Sequence, residues 1–193
     1  MSEFLSGSVV VESSTPQRSW RPVLIQVGVI VAAFVAAGVV SGLFWSVGWD
    51  APTGTVTDGA WVPDDFEGFL RSTFDGSGRM VLWTGGFGLV IGLVCAVWLT
   101  ASELATLMAV TVGSSLMAVI AREVARAGQP DSPTTLASAA PDGTVLSAPL
   151  TIADWKGWDS WVPMAAGPLA ALAVLVIVFL LIARRDGEGA STL

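Results

Sequence analysis

From Val23 to Trp45 the chain reads VLIQVGVIVAAFVAAGVVSGLFW, and three more apolar runs follow at Met80–Leu99, Leu104–Ala121 and Pro163–Ala183. A hydrocarbon layer about 30 Å thick calls for roughly 20 apolar residues per spanning helix, and each run is of that order. Composition agrees: mean hydropathy is +0.70 and only 13% of the 193 residues are charged, against roughly 25% in soluble domains. The expected fold class is therefore an all-α membrane protein. It has four transmembrane helices and two extracytoplasmic loops that carry a short β-hairpin and an amphipathic helix.

The expected boundaries are a cytoplasmic tail over 1–21, a transmembrane domain over 22–185 and a second tail over 186–193. Within the domain the spans are 23–45, 80–99, 104–121 and 163–183, and the loops are 46–79 and 122–162. The first run is longer than a signal-peptide core and lacks an Ala-x-Ala site at its end, so it reads as an uncleaved anchor. Only Thr100-Ala101-Ser102-Glu103 separates the second run from the third. One continuous helix through both would extend about 60 Å, twice the hydrocarbon thickness, so an antiparallel hairpin is expected. Thr100 and Glu103 match a capping box at the third helix's start. Pro163 fits a helix's first turn, and Arg184-Arg185 reads as a stop signal.

Four spans place both termini on one side. Arg18, Arg21, Arg184 and Arg185 abut the membrane there, which favours termini inside a plasma membrane. Acids outnumber bases in the loops, among them Asp50, Asp64, Asp65, Glu67, Asp75, Glu123 and Asp159.

In the first loop, Asp58-Gly59 between two β-prone runs signals a type I′ hairpin that includes Trp61. Phe66, Phe69, Leu70 and Phe74 then recur at helical spacing. This predicts a short amphipathic helix, either lying on the membrane or packing beneath the loops. In the second loop, Gly128 to Pro149 is expected to be irregular in its first half, with a strand at Thr144–Leu146. Trp155, Trp158 and Trp161 follow at three-residue spacing. They suit an aromatic belt at the headgroup level or a platform for a partner, glycan or lipid.

The net charge of −7 excludes nucleic acid as a partner. The absence of His and the single Cys95 leave no His-ligated metal, no Cys-rich site and no His-based catalysis, so no catalytic, cofactor-binding or metal residues are expected. No ionisable residue falls deep in a span, which argues against a proton relay; Arg122 and Arg126 are placed at the third helix's far end. Gly38 and Gly42, Gly88 and Gly92, and Ala109 and Gly113 form small-xxx-small pairs suited to close helix packing. Thr84, Ser114 and Ser115 are candidates for interhelical hydrogen bonds.

The span ending in Gly42-Leu43-Phe44-Trp45, Pro52 followed by a hairpin through Asp58-Gly59, the stretch from Asp64-Asp65-Phe66 to Phe74 and the tight second hairpin together resemble an actinobacterial family of four-span membrane proteins. That family is classed as a domain of unknown function. The resemblance covers Pro22 to Arg185 and implies a plasma-membrane topology, with no catalytic residues to carry over.

Two functions fit these features. One is a non-enzymatic accessory or scaffolding subunit of a larger cell-envelope or respiratory complex, whose partners are lipids and other membrane subunits. The other is a lipid- or glycan-binding component of a transport or export system that uses the Trp-rich second loop.

Overall fold

The computed structural model describes residues 20–98, 102–149 and 158–190. In chain order the elements are α1 (Arg21–Gly48), β1 (Thr53–Thr57), β2 (Ala60–Pro63), α2 (Phe66–Trp98), α3 (Glu103–Ala127), α4 (Pro133–Ala137), β3 (Val145–Ser147) and α5 (Trp158–Ala190). The chain is mostly helical, and α1, α2, α3 and α5 are each long and apolar enough to cross a membrane. In their apolar windows only 17% to 44% of residues are buried, so most apolar side chains face outward. Leu24, Ile25, Val29, Leu82, Val90, Leu169 and Leu180 are among them. A water-soluble bundle would show the reverse arrangement.

The four long helices pack as α1 with α3, α3 with α5, α5 with α2 and α2 with α1. This places α2 and α3 at opposite corners with little contact, although only a few residues join them in sequence. The tightest pairs are α1 with α3 and α2 with α5, and in both the chains run parallel. The reason lies in the small residues. A methyl group added to Gly38 would stand 2.8 Å from the Met117 carbonyl oxygen, and one on Gly42 would stand 2.7 Å from that of Ala121. On α2, a methyl group at Gly88 would overlap the Gly167 carbonyl oxygen, and one at Gly92 would stand 2.7 Å from that of Ala171. Gly113 receives the Phe34 ring, whose Cδ2 would lie 2.7 Å from an added methyl group. Ala109 is buried in the same core, which centres on Ile30, Phe34, Val110, Met117, Ala171 and Leu175.

Several boundaries differ from the sequence expectation. The stretch from Phe66 to Phe74 is not a separate amphipathic helix; it forms the first turns of α2, which runs unbroken to Trp98. Asp75-Gly76-Ser77-Gly78-Arg79 contains no proline, and an Asp75–Arg79 ion pair of 2.8 Å, one turn apart, bridges its glycines. Similarly, α3 continues past Ala121 to Ala127, so Arg122 is helical rather than part of a loop. The residue at its N-cap is Ser102, which makes Glu103 the first helical residue and not the third position of a capping box; Thr100 lies outside the described residues. Helix α5 starts at Trp158, so Pro163 is internal, and it continues through Arg184-Arg185 to Ala190. The two arginines end the apolar run without ending the helix.

The three strands form one antiparallel sheet in the order β2-β1-β3. Asp58 and Gly59 both have positive φ, 51° and 72°, as a type I′ turn requires. Thr57 then pairs with Ala60 and Gly54 with Pro63. Strand β3 is Val145–Ser147, one residue later than the expected Thr144–Leu146, and it enters through Gly143 at φ 84°. The stretch before it, expected to be irregular, contains the short helix α4, which rests against β2.

Because the Gly88 contact meets backbone and not a movable side chain, Gly88→Ala is expected to cost about 1–3 kcal/mol. That corresponds to roughly 3–10 °C in the thermal midpoint of the detergent-solubilised protein. Gly85→Ala, where an added methyl group meets nothing within 4 Å, is expected to leave the midpoint unchanged or slightly raised. Circular-dichroism melts of the two variants check the contrast.

Candidate functional site

At the end of α1, Trp45 and Trp49 stand one turn apart and face the projecting first turns of α2. The Trp45 indole N–H donates to the Gly76 carbonyl at 2.8 Å, and that of Trp49 donates to the Ser72 carbonyl at 3.2 Å. The two indoles stack with centroids 5.1 Å apart. The Ser72 hydroxyl returns a bond to the Asp50 carbonyl at 3.2 Å. Two rungs spaced at i, i+4 on both helices thus fasten the outer part of α2 to the end of α1. Trp45 is fully buried with Met80, Ala121 and Ala125, which extends the latch to α3.

Trp61 is the second pin. It crosses from β2 over Gly54, where an added methyl group would lie 2.5 Å from its Cε2, and donates to the Leu146 carbonyl on β3 at 3.0 Å. Phe69 of α2 meets the Trp61 ring edge-on at 5.7 Å. One indole therefore joins both loops and the helix beneath them. The neighbouring acids serve local structure. The Asp65 carboxylate accepts the Glu67 backbone N–H at 3.0 Å as the N-cap of α2, and Asp64 accepts the Thr55 hydroxyl at 2.7 Å. Among the described residues, no group of three His, Cys, Asp or Glu side chains is placed to hold a metal.

The aromatic positions singled out from sequence separate into two sets. Phe69 turns inward, while Phe66, Leu70 and Phe74 remain exposed, Phe74 to 82%. Phe66, Leu70 and Phe74, spaced i, i+4 and i+8, line one exposed face of α2, and Phe69 stands beside it against Trp61. In the second loop, Trp155 lies outside the described residues, Trp158 opens α5, and Trp161 is half-exposed in that helix's first turn.

The small polar residues of the spans make local bonds. Thr84 donates to the Met80 carbonyl at 2.7 Å, and Ser114 and Ser115 donate to that of Thr111. The hydroxyl of each satisfies its own helix, so the expected interhelical role is not what these bonds provide. Between α1 and α3 an interhelical side-chain bond runs instead from Gln26 Nε2 to Thr106 Oγ1 at 2.7 Å, at the end away from the sheet. Ser41, fully buried, has a hydroxyl with no hydrogen-bond partner.

Arg122 is 2% exposed, the one charged side chain buried among the described residues, and its guanidinium bonds the Glu123 carboxylate. From the sequence it is expected at the far end of the third helix, where the second loop begins. The signal available was its spacing from Ala118, Ala121 and Ala125, which continues the buried face of α3.

Beside the Trp49 rung lies an open groove of about 410 Å³, lined by Gly48, Trp49, Asp50, Arg71, Asp75 and Arg79. A second hollow of about 340 Å³ adjoins it at Asp50, Gly68 and Ser72 and extends beneath Pro52 and Asp64. Arg79 pairs with Asp75, and Arg71 pairs with Glu67 at 3.1 Å. This arrangement can hold a polar or charged group through ion pairs and hydrogen bonds.

No protein family, curated protein or solved structure matches the chain.

Trp49→Phe and Trp45→Phe each remove one indole donor while keeping an aromatic ring, at about 1 kcal/mol per bond. Amide hydrogen exchange over residues 66–76 is expected to accelerate in both. Trp161→Phe is expected to leave that segment unchanged.

Proposed function

We propose that the protein is a multi-pass plasma-membrane protein with both termini cytoplasmic, serving as a non-enzymatic accessory or scaffolding subunit of a larger cell-envelope or respiratory complex. The observation that carries this reading is the rigid attachment of the sheet and outer α2 to the bundle, together with the apolar groups that this head exposes. An unbroken α2, two indole rungs and the Trp61 pin leave few internal degrees of freedom. Phe66, Leu70 and Phe74 project from the head with Val62 and Val145. Exposed aromatic groups on a rigid support suit a protein interface, because little side-chain or loop entropy is lost on docking.

Mild solubilisation from native membranes, followed by identification of co-purifying proteins, tests the reading. Phe66→Asp combined with Phe74→Asp is expected to lower partner recovery at least about tenfold, since aromatic hot spots contribute of order 2 kcal/mol each. Membrane insertion is expected to be retained. Recovery of the wild type as a monomer across mild detergents would overturn the scaffold role. Labelling at Ser132→Cys, in a Cys95→Ala background, is expected from outside intact cells, whereas Ser13→Cys is expected to be protected. The opposite pattern would invert the topology.

A further inference from the structure

Below the groove at Arg79, on the same seam between α1 and α2, lies a row of stacked aromatic rings. On α2, Asp75, Arg79, Trp83 and Phe87 recur every four residues and so lie along one face. On α1, Phe44 and Gly48 face them. Phe44 stacks on Trp83 at 4.8 Å, and Trp83 lies 6.4 Å from Phe87. One turn above Phe44, the absence of a side chain at Gly48 leaves room for the Arg79 guanidinium, whose Nη1 would lie 2.7 Å from an added methyl group. Arg79 Nε engages Asp75, which leaves its terminal nitrogens at the groove. Among the described residues no ion pair engages the Asp50 carboxylate on the opposite rim, and Arg71 lines the same groove.

Depth and charge both select the occupant. At about 1.5 Å per residue, Arg79 stands roughly 28 Å along α2 from Trp98. If Trp98 marks one membrane interface, Arg79 reaches the headgroup level of the other, while Trp83 and Phe87 lie about 6 and 12 Å deeper, among acyl chains. The lining carries two cations, Arg71 and Arg79, and two anions, Asp50 and Asp75. A groove with both signs suits a headgroup with both signs.

We propose that the α1/α2 crevice binds one aminophospholipid. Its phosphate is held by Arg79 and Arg71, its ethanolamine ammonium donates to Asp50, and one acyl chain lies along Phe44, Trp83 and Phe87. Choline has no N–H to give Asp50, and a glycerol headgroup brings no cation to it. The proposal rests on the membrane reading above but not on the scaffold role.

The test is native mass spectrometry of the full chain released from nanodiscs of equimolar phosphatidylethanolamine, phosphatidylcholine and phosphatidylglycerol. Wild type is expected to retain a single phosphatidylethanolamine in preference to the other two. Arg79→Gln and Gly48→Val are expected to lower its retention about tenfold, the effect of losing a charge-assisted contact. Asp50→Asn is expected to shift the preference toward phosphatidylglycerol. Phe44→Ala is expected to weaken retention of all three lipids without changing their order. Arg126→Gln, on α3 away from the crevice, is expected to match wild type. Equal retention of the three lipids overturns the proposal, as does an unchanged preference in both Asp50→Asn and Gly48→Val. Complete competition by free phosphoethanolamine at equal concentration also overturns it, because the acyl track would then contribute nothing. Carbonate extraction separates the two readings: a chain that stays in the membrane fraction without lipid preference refutes this site alone, whereas a chain that is extracted refutes the membrane reading as well.

Discussion

The bundle depends on backbone meeting backbone at glycine. On the proposed membrane reading, these helices gain little from hiding apolar side chains from one another, since lipid solvates those side chains equally well. Association then rests on the area and closeness of contact, which the absence of a side chain at Gly42, Gly88 and Gly92 permits. The two parallel pairs, α1 with α3 and α2 with α5, are where this occurs. Each helix of the first hairpin carries its own Gly-xxx-Gly and packs on the helix of like direction in the second. The long diagonal between α2 and α3 follows from satisfying both contacts at once.

A second constraint acts where the bundle leaves its apolar zone. An exposed helix of two or three turns has little intrinsic stability, and α2 carries several glycines there. Trp45 and Trp49 supply the missing support from α1 by donating to carbonyls one turn apart, and Trp61 carries the support through the sheet to the second loop. Tryptophan suits this position because its large apolar ring can be buried while its N–H still finds an acceptor. The same attachment shapes the crevice at Gly48 and Arg79, so the head, the groove and the aromatic track below belong to one construction.

Much of this was legible from local pattern and some was not. The lengths of the four apolar runs announced four helices, and Asp58-Gly59 announced its turn, because only a residue pair tolerant of positive φ closes that hairpin. The tryptophans were visible but their ranking was not. Trp155, Trp158 and Trp161 stood out as a cluster, whereas Trp45 read as the end of a span and Trp49 as part of the loop after it. Nothing nearby in sequence indicates that their acceptors are Ser72 and Gly76, since those contacts join distant parts of the chain. Phe66 to Phe74 read as a self-contained amphipathic helix because its apolar spacing stops at Phe74, yet the helix continues through glycines that tertiary contacts support.

By itself the sequence determined what each segment can be: an apolar helix of spanning length or a two-residue turn. These are properties of a few neighbouring residues and of the backbone they share. Only the tertiary structure decided which glycine face meets which helix, that Arg122 is buried, and that Asp50 and Arg79 line one groove. The physical reason is that several small-residue faces could pair with one another. The choice among them is made by the fit of whole helices and by the closure of the loops above, which no local window contains.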